Sequence, residues 1–186
     1  NKLRTSNRIV DGIYNIRIAD VVSECRKLKR EHGLYLDGID CLQLISGSGK
    51  SRDNRQREIT EISRSLKGLA REMECPVIAL SQLSRSVETR PDKHPMLSDL
   101  RESGAIEQDA DIVMFLYRDA YYAKDDEAVQ NNPTDQTDLY IAKHRNGSTG
   151  QGDIAFQKSI SAFSNIPPDG FSQCQILLIN LFAYCN

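Results

Sequence analysis

Six consecutive apolar residues, Ile112–Tyr117, stand between Asp111 on one side and Arg118 and Asp119 on the other. A run of that length suits a buried strand and is too short for an ordinary helix. Apolar on both faces, such a strand is expected in the middle of a covered sheet, usually a parallel one. Residues 98–111 lead into it as a charged segment holding Asp99, Arg101, Glu102 and Gly104. In α/β folds a charged, glycine-containing loop beside a buried strand is the usual way to present side chains to a ligand.

The chain upstream repeats the pattern. Residues 9–18 have room for a short strand. Ile18, Val21, Val22, Cys25 and Leu28 recur at helical spacing, and Gly33 is a stop signal, so a helix is expected over Ile18–His32. Its basic residues Arg26, Lys27, Lys29 and Arg30 read better as a solvated face than as a phosphate contact. Residues 34–45 form an apolar run that reaches Asp40, as a Walker B strand does when its carboxylate meets Mg²⁺. Asp37 and Gly38 interrupt that run, and position alone weighs a plain strand-end Asp40 equally. Ser46, Gly47, Ser48, Gly49, Lys50 and Ser51 look like the end of a phosphate-binding loop. The full pattern needs a glycine where Leu44 stands, so a flexible basic loop is the better reading.

Residues 54–74 carry one apolar stripe, Ile59, Ile62, Leu66, Leu69, Ala70 and Met73, with Arg and Glu opposite, which predicts a helix. Residues 76–81 then read as another buried strand. Helix and strand alternate, the signature of a parallel sheet. Gln82 follows the strand directly. A neutral amide there can contact both a γ-phosphate oxygen and an attacking water, or can simply cap a loop. Residues 86–95 read as loop with His94 at the surface. Residues 120–137 are polar and acidic, as in a mobile insertion. Strands are expected over 138–143 and 153–156, joined by a turn at Asn146 and Gly147 that favours positive φ. Lys143 and Arg145 tip this hairpin, either solvated or reaching a neighbour's phosphate as an arginine finger does. Residues 175–184 are apolar without clear amphipathicity: a core strand, a buried helix or an exposed tail.

Composition narrows the function classes. A net charge of −2 and a pI near 6.0 exclude bulk attraction to nucleic acid or membrane, so any DNA contact must come from local clusters. The five cysteines, Cys25, Cys41, Cys75, Cys174 and Cys185, have no metal-ligand spacing and read as the reduced thiols of a cytoplasmic protein. No apolar run is long enough to span a bilayer, so no membrane partner is expected.

Several stretches together resemble one family. They are residues 24–34 (ECRKLKREHGL), 39–45 (IDCLQLI), 53–72 (DNRQREITEISRSLKGLARE), 76–119, which contains DLRESG and IEQDAD, and 142–147 (AKHRNG). The chain is similar to the C-terminal ATPase domain of the bacterial replicative DNA helicase of the DnaB type. The resemblance implies an α/β fold: a RecA-like P-loop NTPase core with a mostly parallel sheet flanked by helices, N-terminally truncated here, and a C-terminal β-hairpin. It implies a partial ATPase domain over residues 1–165 and a divergent tail over 166–186. Asp40 matches the Walker B aspartate that supports Mg²⁺, and Gln82 matches the γ-phosphate-sensing glutamine. Arg101, Glu102 and Gly104 match the loop that contacts the single-stranded DNA backbone. Lys143 and Arg145 match the hairpin residues that reach into the adjacent subunit's ATP site.

The implied cofactors are ATP and Mg²⁺. The implied partners are single-stranded DNA, five further copies in a homo-hexamer, primase and a helicase loader. The implied activity couples ATP hydrolysis to translocation and duplex unwinding. The family's phosphate-binding loop and catalytic glutamate match nothing in this sequence and are expected upstream of Asn1, so the chain by itself is expected to hydrolyse no ATP. Cys41 replaces a usual tyrosine, and the sequence after Phe163 leaves the family pattern. The alternative is a non-catalytic RecA-like module that binds DNA or docks onto a helicase, or a gene remnant.

Overall fold

The computed structural model describes residues 12, 16–47, 55–123, 125–166 and 181–184, with side chains throughout except at 101–103 and 181–184. Helix α1 (Ile18–His32) leads to β1 (Asp37–Ile39), and α2 (Arg55–Met73) to β2 (Val77–Leu80). A turn of helix, α3 (Ser86–Thr89), is followed by a 3-10 segment, Leu97–Ser103, which runs into α4 (Gly104–Asp109) and then β3 (Ile112–Tyr117). The rest is α5 (Glu127–Asn131), β4 (Thr134–His144), β5 (Gly150–Gln157), β6 (Ala162–Asn165) and β7 (Leu181–Tyr184).

The seven strands among the described residues form one sheet in the order β1-β2-β7-β3-β4-β5-β6. Strands β1 and β2 pair in parallel, Ile39 opposite Ala79. Strand β7 is antiparallel to both β2 and β3, so β2 and β3 run in the same direction. The three strands that follow helices thus share one direction, but only β1 and β2 pair in parallel; β3, expected among parallel neighbours, has antiparallel β7 and β4 on its two sides. The other half, β3-β4-β5-β6, is an antiparallel meander that contains the expected hairpin. The apolar tail is a strand at its end: β7 lies inside the sheet, with Phe182 opposite both Ala79 and Val113.

The stripe on α2 builds the core. Ile59, Ile62, Leu66, Leu69, Ala70 and Met73 are buried with Val77 and Ala79 of β2, Val113 and Phe115 of β3, and Ile106 of α4. Burying each large aliphatic contributes about 1.5–3 kcal/mol. Strand β3 alternates strictly, with Val113, Phe115 and Tyr117 buried and Ile112, Met114 and Leu116 half-buried. The expected cover on both faces is therefore full on one face only, that of α2 and α4. Helix α1 stops where Gly33 takes φ 73°, a conformation only glycine adopts freely. Its basic face is partly tied down: Arg26 holds Glu72 of α2 at 2.6 and 2.8 Å, and Lys29 Nζ donates to the Met73 carbonyl at 2.6 Å.

Three local expectations are revised. The apolar run at 34–45 yields only a three-residue strand; β1 is an edge strand, and Tyr35 (89% exposed) and Leu36 (54%) find no cover. Of residues 120–137, those at 125–133 hold a capped helix, α5, and those at 134–137 open β4. Asp126 Oδ1 accepts the Ala128 and Val129 amides at the start of α5, and Lys158 Nζ donates to the Val129 carbonyl at its end. Gly147 does not take positive φ; it is needed for space, because a Cβ there would lie 3.0 Å from the His144 ring. Residues 48–54, with most of the basic loop, and Cys174 and Cys185 lie outside the described residues.

Two stability tests follow from these backbone and burial features. Glu74 ends α2 in the left-handed region at φ 48°. Glu74→Gly is expected to raise the free energy of unfolding in urea by about 0.5–1 kcal/mol. Burial raises the Asp37 carboxyl above its ordinary 3.8, opposed by the Cys25 thiol and the Gly38 amide that donate to it. A raised acid stabilises the fold below its unfolded value and loses that contribution as pH rises through its folded value. Asp37→Asn is therefore expected to be more stable than the parent at neutral pH, the gain vanishing below about pH 4.

Candidate functional site

Asp40 follows β1 and Gln82 lies two residues beyond β2. Because β1 and β2 are parallel and in register, the two side chains emerge at the same edge of the sheet, and both residues are exposed. Their backbones are held by a residue that sequence reading passed over. Gln43 Oε1 accepts the Gln82 amide at 3.2 Å, while Gln43 Nε2 donates to the Gln82 carbonyl at 3.2 Å and to Ser81 Oγ at 2.8 Å. Arg55 at the start of α2 donates to the Gln43 carbonyl at 2.7 Å. This amide clamp fixes where the Gln82 side chain starts. No periodicity or motif rule points to Gln43; only the pairing of β1 with β2 brings it there.

The same edge carries residues 97–104. Asp99 is 4% exposed and accepts both terminal nitrogens of Arg90 at 2.8 Å, plus the Met96 amide at 2.8 Å. The Asp99 carbonyl accepts the Ser84 amide at 3.0 Å, which ties the segment to the stretch after Gln82. Leu100 and Ile106 are buried anchors. Arg101 and Glu102 lie between them on the last turn of the 3-10 segment, and Gly104 opens α4. Nothing lies within 4 Å of a Cβ placed on Gly104, so the backbone there is open to close approach.

Lys143 and Arg145 do not stand free at the hairpin tip. Lys143 is in β4 opposite Val113, and its Nζ donates to the carbonyls of Glu107, Gln108 (3.3 Å) and Ala110 (2.8 Å). Arg145 donates to the Gln108 carbonyl at 2.9 Å and pairs with Asp111 at 3.1 Å. Asp111 also pairs with Lys67 of α2. Burial, then the charge of Arg145, lowers the Lys143 ammonium below its ordinary value. The structure thus brings the hairpin cations onto the helix that continues the 97–104 segment. Asp111 looked like the stop of an apolar run, and its role as a hub was not visible there. His94 is likewise engaged: its ring lies 3.9 Å from that of Tyr117, and Nδ1 is 2.8 Å from the Tyr140 hydroxyl.

Among the described residues no cluster of three or more His, Cys, Asp or Glu could hold a metal ion, and no helix is long and apolar enough to cross a membrane. One exposed carboxylate at a strand end still fits Mg²⁺, which keeps several waters and takes one or two carboxylates beside substrate phosphates.

A sheet flanked by helices, with Asp40 and Gln82 just beyond two in-register parallel strands, defines an α/β protein. The model of the DnaB-like helicase C-terminal domain matches residues 1–165. The chain is 58% identical over 157 residues to the replicative DNA helicase DnaB of Geobacillus stearothermophilus, covering 84% of this chain and 34% of that protein. It is 54% identical over 164 residues to the replicative DNA helicase DnaC of Bacillus subtilis, covering 88% and 35%. A solved structure of a DnaB-like replicative helicase, described with its interactions with primase, superposes at a TM-score of 0.73 with 46% identity, covering 84% of this chain and 36% of that one. A solved ATPase domain superposes at 0.78 with 45% identity, covering 89% and 57%. The chain belongs to the DnaB-like helicase C-terminal domain family. It spans about a third of the length of these two curated relatives.

The Arg90–Asp99 pair sets the path of residues 97–104. Asp99→Asn leaves Arg90 without its counter-charge, and equilibrium urea unfolding is expected to show a loss of about 2–3 kcal/mol.

Proposed function

We propose that this chain is part of a replicative DNA helicase that couples ATP hydrolysis to translocation on single-stranded DNA and unwinding at the fork. One observation carries the reading: Asp40 and Gln82 leave the same edge of two in-register parallel strands, and the 97–104 segment is tied to that edge through Ser84 and Asp99. In parallel sheets this is where ligands bind. Asp40 is the residue to hold Mg²⁺ through its water shell. Gln82, its backbone held by Gln43, is the neutral amide that orients water against the terminal phosphate. Bound Mg²⁺ and ATP supply charge neutralisation and a cleavable phosphoanhydride.

Arg101, Glu102 and the Gly104 backbone are the DNA contacts, consistent with local rather than global positive charge on a chain of net −2. Lys143 and Arg145 lie on the hairpin side that would face a neighbour's ATP in a closed homo-hexamer, a heterologous interface. Primase and a helicase loader are the further partners of such a ring, and the cytoplasm is its compartment. Residues 1–165 form the ATPase-domain part and 166–186 a divergent tail.

A second reading is a non-catalytic RecA-like module that binds DNA or docks onto a helicase; with Leu44 in place of the first glycine, residues 46–51 do not supply a phosphate-binding loop. One experiment weighs both readings. The 186-residue chain is titrated against labelled oligothymidylate by fluorescence anisotropy, with Mg²⁺-dependent ATP turnover measured alongside. Salt-dependent binding is expected, Arg101→Ala lowering affinity several-fold and the salt slope by about one. No turnover is expected from the chain alone; turnover abolished by Asp40→Asn would place catalysis here and remove the second reading. Absence of single-strand binding at low salt would remove the DNA assignment.

A further inference from the structure

We infer that Lys143 is a positioning residue for the DNA-contacting segment: it fastens the basic hairpin to the exit of residues 97–109. The inference rests on the DNA reading above and deepens it. Helix α4 is six residues long, too short to hold itself, and its terminal carbonyls lack partners within the helix. The Lys143 ammonium has three donors, and the carbonyls of Glu107, Gln108 and Ala110 accept them. A cation at a helix C-terminus is also favoured by the helix dipole.

The segment is thereby held at both ends. At its entry Arg90 grips Asp99, and at its exit Lys143 grips α4. Ile106, fully buried, pins the middle of α4. Arg101, Glu102 and Gly104 lie between the two grips. The base of the hairpin is fixed in turn, because the Arg145 amide donates to the Asp111 carbonyl at 2.8 Å and its guanidinium pairs with the Asp111 carboxylate. The two cations consequently differ. Lys143 is half-buried with its donors on main-chain carbonyls, and Arg145 is exposed (side chain 43%). Within one chain Lys143 is the cation that rests on α4, and Arg145 is the more exposed of the two. Any displacement of the hairpin pulls directly on α4 and on the DNA contacts ahead of it.

The test uses the 186-residue chain with a labelled oligothymidylate of about 20 nucleotides, long enough for one site. Affinity is measured over a salt series, with amide hydrogen exchange of residues 104–110 in the same samples. Lys143→Met keeps the aliphatic stem and removes the donors; circular dichroism checks that it folds. Expected are faster exchange in 104–110, an affinity loss of about tenfold, the size of one charged hydrogen-bond set, and an unchanged salt slope. Lys143→Arg, which keeps donors, is expected to restore most of the affinity. In the Arg101→Ala background Lys143→Met is expected to cost far less, because it acts through that loop.

A salt slope lowered by about one with exchange unaltered would make Lys143 a direct phosphate contact and overturn the inference. Unaltered exchange and unaltered affinity would overturn it as well. A parent chain that binds no single strand would refute the DNA reading by itself, and the exchange of 104–110 would still decide whether Lys143 holds α4.

Discussion

Burial of the α2 stripe is the interaction on which everything else rests. Ile59, Ile62, Leu66, Leu69, Ala70 and Met73 cover the neighbouring strands β2 and β3 while touching α1 and α4. That single apolar seam sets the height of both strands relative to one another, so their C-terminal ends finish at one edge. Asp40 and Gln82 stand just beyond the C-terminal ends of β1 and β2, whereas Lys143 and Arg145 lie beside the start of β3. The seam is apolar and has no direction of its own. Direction is supplied by hydrogen-bonded register, Asp37 against Val77 and Ile39 against Ala79.

The fold uses ions in short, shared sets at both ends of the strands. Asp99 serves Arg90 and two backbone amides' worth of geometry at the entry of the 97–104 segment, since its carboxylate takes the Met96 amide and its carbonyl the Ser84 amide. Asp111 serves Lys67, Arg145 and a main-chain amide at the exit. Asp135, 4% exposed, does the same for Lys158 and Arg118 beside α5. A buried carboxylate is tolerated because each is paired and hydrogen-bonded. Lysines also cap the ends of two of the short helices: Lys143 of β4 on α4, and Lys158, just after β5, on α5. Pieces too short to be helical alone are held in place by the antiparallel meander.

Much of this was legible residue by residue. The stripe at 54–74 became α2 with the same six apolar residues buried, and Ile112–Tyr117 became β3 without a shift. Gly33 stopped α1 as expected. Failures came where partners are distant. The edge position of β1 shortened the run at 34–45, and the cap on α5 ordered a stretch whose polarity suggested mobility. The apolar end of the chain leaves three options open, and only its pairing with both β2 and β3 selects a strand. Gly147 was read as a turn dihedral and proved to be a matter of space against His144.

The site divides the same way. Asp40, Gln82, Arg101, Glu102, Gly104, Lys143 and Arg145 can be named from sequence, because residue type and position after a strand or in a turn are local properties. By itself the sequence determined the alternation of helix and strand, the core stripe and membership of a helicase family, all of which depend on short-range patterns. Tertiary structure alone decided that Gln43 clamps Gln82, that Asp99 and Asp111 hold the two ends of one segment, and that Lys143 rests on the carbonyls of α4. Those contacts join residues dozens of positions apart, and hydrogen bonds are directional and short. They exist only once packing has brought the strands to their final register.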